Sequence, residues 1–465
     1  MKLTTYRQMC KKKRKQQRIQ REKVKSKLNK GVEPLLRHIE KTIKHFCPKL
    51  SEHIDYSYTD PRRVKSVKYK LSEVLLATVF MYMMRTPSRN DMNEERTNII
   101  FKSNYEKYFK LKLPHMDTVN NVLEALDPSI LESIKRHIIK QLLSKRTLHK
   151  FKLLGRYFIV AIDGTGVYKY KKEPYPGCPY KVSKNNVKTY TQSVVEAKLI
   201  GSNGFSISLV SEWIINEDGK TKQDCEQNAT KRLIKKLKAQ YPRLPILILL
   251  DGLFGNAPMM KIIKENNWEY LIVWKDKTLY SLQDLVAEHR STKKTIQVKK
   301  EIVINRFKKI LQTYEYDDNQ LDNKGNKLYY IKMEEEKIHI EHPENTSKTK
   351  FVFMSSISPD NTNFKELIKG GRLRWKIENE GFNTQKRKGY NMHHKMNRKN
   401  LTGIKNYYNC LQIGHLLNQL IILCQNSITK QWRTVKKLWQ YFTSALRIIK
   451  NLTIIQTNQK YNYRY

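Results

Sequence analysis

The feature that most constrains the fold is a run of six apolar residues at 245–250, Pro-Ile-Leu-Ile-Leu-Leu, followed by Asp251 and Gly252. A short run that is apolar throughout is typical of a β-strand with both faces covered, because a strand with one wet face alternates polar and apolar residues. Such strands belong to parallel or mixed sheets that carry helices on both faces. An α/β core is therefore expected around this run.

The flanking residues predict the other members of that sheet. Segments rich in β-branched and aromatic residues indicate strands at 157–162, 190–200, 205–215 and 269–274, and a Gly-Ser-Asn-Gly turn joins the second to the third. Apolar residues at helical spacing predict helices at 223–240 and 256–266. The order strand, strand, strand, helix, strand, helix, strand predicts a mixed sheet with helices on its faces.

The N-terminal part of the chain reads as helical and basic. Residues 1–30 form a basic tail, with Lys11-Lys12-Lys13-Arg14-Lys15 at its centre, and the tail is either mobile or an arm that grips phosphates. Residues 31–150 predict an all-helical domain, including an apolar helix at 71–84 that Pro87 stops. This domain either binds DNA, through a helix-turn-helix for example, or only packs helices together.

The C-terminal half contains three further segments. Residues 276–350 alternate polar and apolar residues around polar turns and predict a β-rich insertion. It separates the first part of the core, 155–275, from a second part at 351–425. Residues 426–465 predict a basic helical region that ends in a tail from 457.

The charge balance indicates a polyanionic partner. The chain has 90 Lys and Arg against 43 Asp and Glu, a formal net charge of +47, and such an excess repels itself unless nucleic acid neutralises it. No apolar run reaches the roughly 18 residues of a membrane span. The N-terminus lacks the apolar region of a secretory signal, and the six scattered cysteines suggest neither a zinc finger nor disulfides. A cytoplasmic protein is expected.

Three carboxylates stand out against this basic background. Asp163 and Asp251 each follow a predicted buried strand, where open α/β sheets place their sites, although Asp-Gly is also an ordinary turn dipeptide. Glu378 lies four residues after Arg374 on a helix predicted over 371–386. An Arg and a Glu at this spacing are also common as a solvated surface pair.

Aromatic residues decide which face of that helix is expected to point inward. Trp375 and Phe382 predict a core-facing side next to Glu378, and this favours Glu378 over Glu380, which lies about 200° around the helix. Trp213, Trp268 and Trp274, in or beside predicted strands, are expected in the core. Three carboxylates suit hard cations such as Mg²⁺, which prefer oxygen ligands.

These residues carry a resemblance to a known family. The segments Ala-Ile-Asp163-Gly-Thr, Leu-Leu-Asp251-Gly-Leu-Phe-Gly-Asn and Arg374-Trp-Lys-Ile-Glu378-Asn-Glu-Gly-Phe-Asn resemble the motifs of IS4-like DDE transposases of bacterial insertion sequences. The last segment is similar to that family's Tyr-Arg-Glu-Lys signature. The resemblance covers roughly residues 155–425 and implies a catalytic core of RNase H-like fold, interrupted by the β-rich insertion.

The resemblance also implies a site and its cofactor. Asp163, Asp251 and Glu378 would be catalytic and hold two Mg²⁺ ions, which Mn²⁺ can replace, while Arg374 would contact a DNA phosphate. The chain departs from the signature at Gly371, where the family has Tyr, and at Gln385, where it has Lys. Lys386, one position on, is expected to take over the phosphate contact, and Lys388 is predicted to add another.

The function implied is cut-and-paste transposition. The protein would bind the ends of its element, cleave the DNA and join the freed 3′-hydroxyls to target DNA, as a homodimer on double-stranded DNA near the bacterial nucleoid. Two alternatives stay open: an inactive remnant or nuclease of the same fold, and a basic nucleic-acid-binding protein without chemistry. The three carboxylates disfavour the second, because a phosphate binder gains nothing from acidic groups.

Overall fold

The computed structural model describes residues 35–216, 223–275, 279–305, 307–423 and 435–448. The basic tail predicted for 1–30 and the tail predicted from 457 lie outside these ranges. Two compact units are present: a helical unit made of the described residues up to 134 and from 388 onward, and a sheet unit made of 135–387.

The helical unit begins with a helix at 35–46, here α1, and continues through a series of helices. These are α2 (Leu50–Ser57), α3 (Leu71–Met84), α4 (Arg89–Thr97), α5 (Ile99–Phe109), α6 (Met116–Ala125) and α7 (Pro128–Ser144), the last of which contains the boundary to the sheet unit. All residues of α3 are buried, as expected for a helix that is apolar on every side. The sequence predicted its bounds correctly.

The sheet unit is built on ten strands that the described residues place in one mixed sheet. The strands are β1 (Phe158–Tyr170), β2 (Tyr180–Val182), β3 (Lys188–Ile200), β4 (Ser206–Ile214), β5 (Ile246–Leu250), β6 (Glu269–Val273), β7 (Ile296–Asn305), β8 (Lys308–Asn323), β9 (Asn326–His339) and β10 (Ser347–Ser355). They follow the spatial order β2-β3-β1-β5-β6-β10-β9-β8-β7, and β4 pairs with β3. The pairs β1–β5 and β5–β6 are parallel and the others antiparallel.

Helices cover both sides of this sheet, so the predicted mixed sheet with helices on its faces is confirmed. They are α8 (Glu226–Gln240), α9 (Ala257–Glu265), α10 (Tyr280–Ser291), α11 (Phe364–Arg372) and α12 (Asn383–Arg387). Residues of β1 and β5 such as Ile159 and Leu249 form one hydrophobic core with Leu367, Ile377 and Phe382. The segment 276–350, predicted as β-rich, supplies α10 and most of β7 to β10.

The chain then returns to the helical unit with α13 (Leu401–Leu423) and α14 (Val435–Ile448). Helix α13 packs against α3 and α6, and α14 packs against α5 and α3. No helix in the described part of the chain combines the length and apolarity that a membrane span requires. Trp213, Trp268 and Trp274 are buried, as predicted.

Candidate functional site

The two aspartates lie side by side in the sheet. Strands β1 and β5 pair in parallel from Phe158 opposite Ile246 to Ala161 opposite Leu249. Asp251 directly follows β5 and Asp163 stands two residues after Ala161, so both aspartates lie where this parallel pairing ends. Both carboxylates are close to the guanidinium of Arg374, so their side chains point to one common space.

Asp163 is not at the end of its strand, contrary to the sequence prediction. Strand β1 runs on to Tyr170, and Asp163 sits within it, paired with Glu196 of β3. The Asp-Gly-Thr-Gly segment favours a turn locally, but its backbone is held extended by pairing with β3. The end of β5 fixes the position of the site, because β5 stops at Leu250 and β1 has no parallel partner on that side beyond this point.

Arg374 bridges the two aspartates. Its Nη1 atom lies 3.6 Å from Asp163 Oδ2 and its Nη2 atom 3.9 Å from Asp251 Oδ1. The Arg374 side chain is 8% exposed, and its Nε atom has no hydrogen-bond partner within the described ranges. The guanidinium therefore lies between the two carboxylates and has N–H donors left for a further ligand. The predicted grouping of Arg374 with Asp163 and Asp251 is present in the structure.

The segment that carries Glu378 is not the continuous helix predicted over 371–386. Helix α11 ends at Arg372, a turn follows at Leu373 and Arg374, and residues Ile377–Phe382 form a π-helical turn before α12. A π turn inserts an extra residue and rotates the residues after it about the helix axis, and such turns are frequent at functional sites. The 3.6-residue stripe expected from the sequence is therefore interrupted at Glu378.

The two aromatic residues of this segment have different environments. Phe382 is fully buried, whereas Trp375 is 54% exposed, so the prediction that both anchor the segment was wrong for Trp375. The turn before the π-helix directs Trp375 outward, where its ring centroid lies 4.7 Å from Arg374 Cζ. An exposed tryptophan thus lies beside the arginine that contacts both aspartates.

The remaining predicted phosphate contacts lie at the end of the segment. Gln385, in the signature position, is fully buried. Lys386 Nζ lies 5.7 Å from the centroid of the Phe382 ring, so its stem covers an apolar surface. Lys388 is exposed and belongs to the helical unit. Neither lysine's role toward DNA is tested by these positions, and both stay predictions.

The pKa values of the two aspartates are shifted in opposite directions. Burial raises the pKa of Asp163 from 3.8 to about 6; the charges of Glu226 and Glu378 act in the same direction, against Arg374. Burial also acts to raise the pKa of Asp251, but the hydrogen bond from Lys275 Nζ at 2.9 Å and the charge of Arg374 outweigh it and lower this pKa below its usual value. Glu378 is therefore close enough for its charge to act on Asp163, although its effect is smaller than that of Glu226.

Glu226 and Lys275 are members of the site that sequence reasoning missed. Glu226 is the first residue of α8, and burial followed by the charge of Asp251 raises its pKa. Its carboxylate occupies the space above Gly164, where an added Cβ would lie 2.5 Å from Glu226 Oε1. The sequence signal was weak, since a glutamate in the first turn of a helix is common for its interaction with the helix dipole.

The donor set fits a hard divalent cation in its chemistry. Asp163, Asp251, Glu226 and Glu378 offer only oxygen atoms, the ligands that Mg²⁺ prefers. Burial disfavours the ionised form of Asp163, and a cation bound beside it would offset this effect. In the described residues, no three His, Cys, Asp or Glu side chains are already arranged around a metal position. The cation that the structure places between the aspartates is Arg374.

Asp163→Asn is expected to stabilise the metal-free protein. Because the pKa of Asp163 is about 6 in the folded protein and about 4 in the unfolded chain, wild-type stability falls as the pH rises from 4 to 6. Asparagine does not titrate, so the variant's advantage should grow over this window and level off above it, at roughly 1 to 3 kcal/mol. Urea unfolding in EDTA at pH 4, 5, 6 and 7 measures this difference.

The matched control for this measurement is Asp284→Asn, which changes an exposed aspartate on α10. Its unfolding free energy should differ from wild type by less than about 0.5 kcal/mol at every pH. An Asp163→Asn variant that is less stable than wild type at pH 7 would contradict the electrostatic description of the site.

Comparison with known proteins adds a distant likeness to solved structures. Neither a protein-family model nor a curated protein sequence matches the chain. Among solved structures, the chain is similar to a piggyBac transposase in a synaptic complex with hairpin DNA, at 12% sequence identity and a TM-score of 0.41. The match covers 87% of this chain and 79% of that one. A likeness at this score does not by itself establish a shared fold or function.

Proposed function

We propose that the protein is a DNA transposase with an RNase H-like catalytic core. The observation that carries the proposal is the position of Arg374 between Asp163 and Asp251, where the parallel pairing of β1 and β5 ends, with Glu378 close enough for its charge to act on Asp163. A surplus of 47 positive charges in the whole chain gives the polyanion affinity that an acidic site alone would oppose.

Asp163, Asp251 and Glu378 would hold two Mg²⁺ or Mn²⁺ ions. When bound, these ions lower the pKa of the attacking water or hydroxyl and stabilise the charge on the leaving oxygen. Arg374 would bind the phosphate at the cut, because a planar guanidinium donates two parallel hydrogen bonds to phosphate oxygens. Its transfer from the aspartates to DNA would leave their carboxylates open to cations, so DNA binding and metal binding should reinforce each other.

Trp375 supplies a second type of contact. Its exposed indole beside Arg374 can stack on an unpaired base, a contact that tolerates any sequence and is worth about 1 to 3 kcal/mol. Bases next to a strand break unstack more easily than those inside a duplex. The surface around Arg374 is thereby suited to a DNA end as well as to a continuous backbone.

The test is strand transfer of a labelled duplex into supercoiled plasmid. The duplex carries the DNA that flanks the coding sequence, and either Mg²⁺ or Mn²⁺ is supplied. We expect the labelled strand to become joined to the plasmid, and EDTA to abolish the reaction. A duplex ending in a 3′-dideoxynucleotide should bind but not join, because it lacks the attacking hydroxyl.

The outcomes separate the proposal from its alternatives. Cleavage of flanking DNA without joining would indicate a nuclease of the same fold. Binding without either reaction, in both metals, would overturn the catalytic proposal and favour an inactive remnant or a structural DNA-binding protein. The homodimer expected on DNA is checked in the same samples by light scattering of the protein–DNA complex.

A further inference from the structure

A polar cavity lies within the helical unit and takes no part in the site described above. Its volume is about 460 Å³, and its walls are residues 88–90 at the start of α4, two side chains of α6, and the loop 394–399. The apolar side chain in this lining is Met396, which is itself 2% exposed. The cavity is therefore built for a polar or charged occupant.

The lining is strongly basic. Arg89, Lys395, Arg398 and Lys399 face a single acidic residue of the lining, Glu124. The cations come from two segments that are some three hundred residues apart in sequence, so their convergence is a property of the fold. Arg89 Nη1 also lies 3.7 Å from Asp117 Oδ1, and a bound anion would offset the repulsion among the cations of the lining.

The loop that brings most of these cations is held in place. Asn397, between Met396 and Arg398, is 5% exposed and donates hydrogen bonds to Asn120 Oδ1 at 3.2 Å and to Glu124 Oε1 at 2.5 Å. Its Oδ1 atom accepts the backbone N–H of Asn400 at 3.0 Å. A loop fixed in this way loses little conformational freedom when it binds a ligand. The Glu124 carboxylate thus holds the loop by accepting a hydrogen bond from Asn397.

We propose that this cavity binds the phosphate backbone of double-stranded DNA. Phosphate contacts by Arg and Lys provide affinity and register without reading the sequence, and a pinned basic loop meets that requirement. The inference rests on the proposed function only in taking DNA as the polyanion, because the cavity contains no residue of the catalytic site. It assigns a DNA contact to the helical unit, for which the sequence left binding and mere packing open.

The test uses the full-length protein with Arg398→Ala and Lys399→Ala combined. Both side chains are exposed, so folding should be unaffected. Fluorescence anisotropy of a labelled 30-base-pair duplex is measured across a KCl series. We expect affinity at 0.1 M salt to fall about tenfold and the slope of log K against log salt to shrink by about two, since each phosphate contact contributes about 0.9.

Two further variants make the result specific. Lys65→Ala with Lys112→Ala removes the same charge from exposed positions of the helical unit outside the cavity, and the slope should stay within half a unit of wild type. Arg398→Lys with Lys399→Arg keeps the charge and should keep the slope. Equal losses in the cavity variant and the outside variant would overturn the proposal, as would an unchanged slope in the cavity variant.

The strand-transfer assay distinguishes this inference from the proposed function. If the wild-type protein performs strand transfer but the cavity variant keeps the wild-type salt slope, the proposed DNA contact at the cavity is refuted and the proposed function stands. If the cavity variant has a reduced salt slope but the wild-type protein performs no strand transfer, the DNA contact at the cavity is supported and the proposed function is refuted.

Discussion

Asp251→Asn is expected to reduce metal-dependent strand cleavage by about a thousandfold. The carboxylate of Asp251 is 30% exposed, its pKa lies below the usual value, and it shares the Arg374 guanidinium with Asp163. Asparagine keeps the shape and removes the charge that would hold a divalent cation. Metal-bound charge stabilisation is worth several kcal/mol, and each 1.36 kcal/mol is a factor of ten in rate, which gives about three orders of magnitude.

The π-helical turn offers a second variant of the proposed site, together with a matched control for it. Glu378 and Glu380 stand two residues apart, and the charge of Glu378 acts on Asp163. Glu378→Gln should therefore lose cleavage to a similar extent, whereas Glu380→Gln should stay within about threefold of wild type. Initial rates on a nicked and labelled duplex measure all three variants. Equal losses for Glu378→Gln and Glu380→Gln would mean that the turn, and not one carboxylate, supports activity.

Glu196→Gln is expected to destabilise the protein by about 3 to 5 kcal/mol, the usual effect of removing one partner from buried charges. Glu196 and Lys198 on β3 are both fully buried, with Lys198 Nζ 3.9 Å from Glu196 Oε2. Lys135 of α7 is 1% exposed, and its Nζ donates to Ser208 Oγ at 2.9 Å. Without the carboxylate, two buried ammonium groups would lose the anion beside them.

Lys198→Met should destabilise the protein much less than Glu196→Gln. Burial lowers the pKa of Lys198 to about 8, and the nearby Lys135 acts in the same direction against Glu196. The folded protein therefore releases a proton more readily than the unfolded chain, and wild-type stability should gain a contribution as the pH rises from about 8 toward 10.5. Methionine removes this contribution and leaves Glu196 with the hydrogen bond from Ser211, whose hydroxyl also accepts from Lys135 Nζ at 3.4 Å, so the loss at pH 7 should be below about 1 kcal/mol.

Urea unfolding at pH 7, 8 and 9 compares both variants with wild type. A larger loss for Lys198→Met than for Glu196→Gln would contradict the assignment of Glu196 as the compensating charge. The result bears on the site, because Lys198 Nζ lies 5.3 Å from the centroid of Phe382 and its stem lies beneath Gly381. An added Cβ at Gly381 would lie 2.8 Å from Ser206 Oγ, so the π-helical turn that carries Glu378 rests directly on this polar network.

Much of the secondary structure followed from local pattern. The apolar run before Asp251 predicted β5, and the continuous apolar segment at Leu71–Met84 predicted a helix that the structure buries on all sides. The order of strands and helices from β1 to β6 was also predictable, apart from the short strand β2, which the sequence analysis missed. These features are local, because the period of apolar residues along the chain reports directly which faces a segment will bury.

The tertiary structure decided the rest of the site. Pairing with β3 extended β1 past Asp163, and a turn followed by a π-helix turned Trp375 outward and set Glu378 near Asp163. Glu226 and Lys275 joined the aspartates from positions that no motif marked.

The buried charges show the physical reason most clearly. Glu196 and Lys198 alternate with apolar residues on β3 as a solvent-facing strand would, yet both are fully buried. Glu196 accepts a hydrogen bond from Ser211 of β4, and Ser211 and Ser208 in turn accept from Lys135 of α7, so the partners of this buried charge come from elsewhere in the chain. Periodicity identifies the residues that can be covered, whereas the partners of a buried charge or of a catalytic carboxylate are set by contacts between distant segments, which exist only in the folded chain.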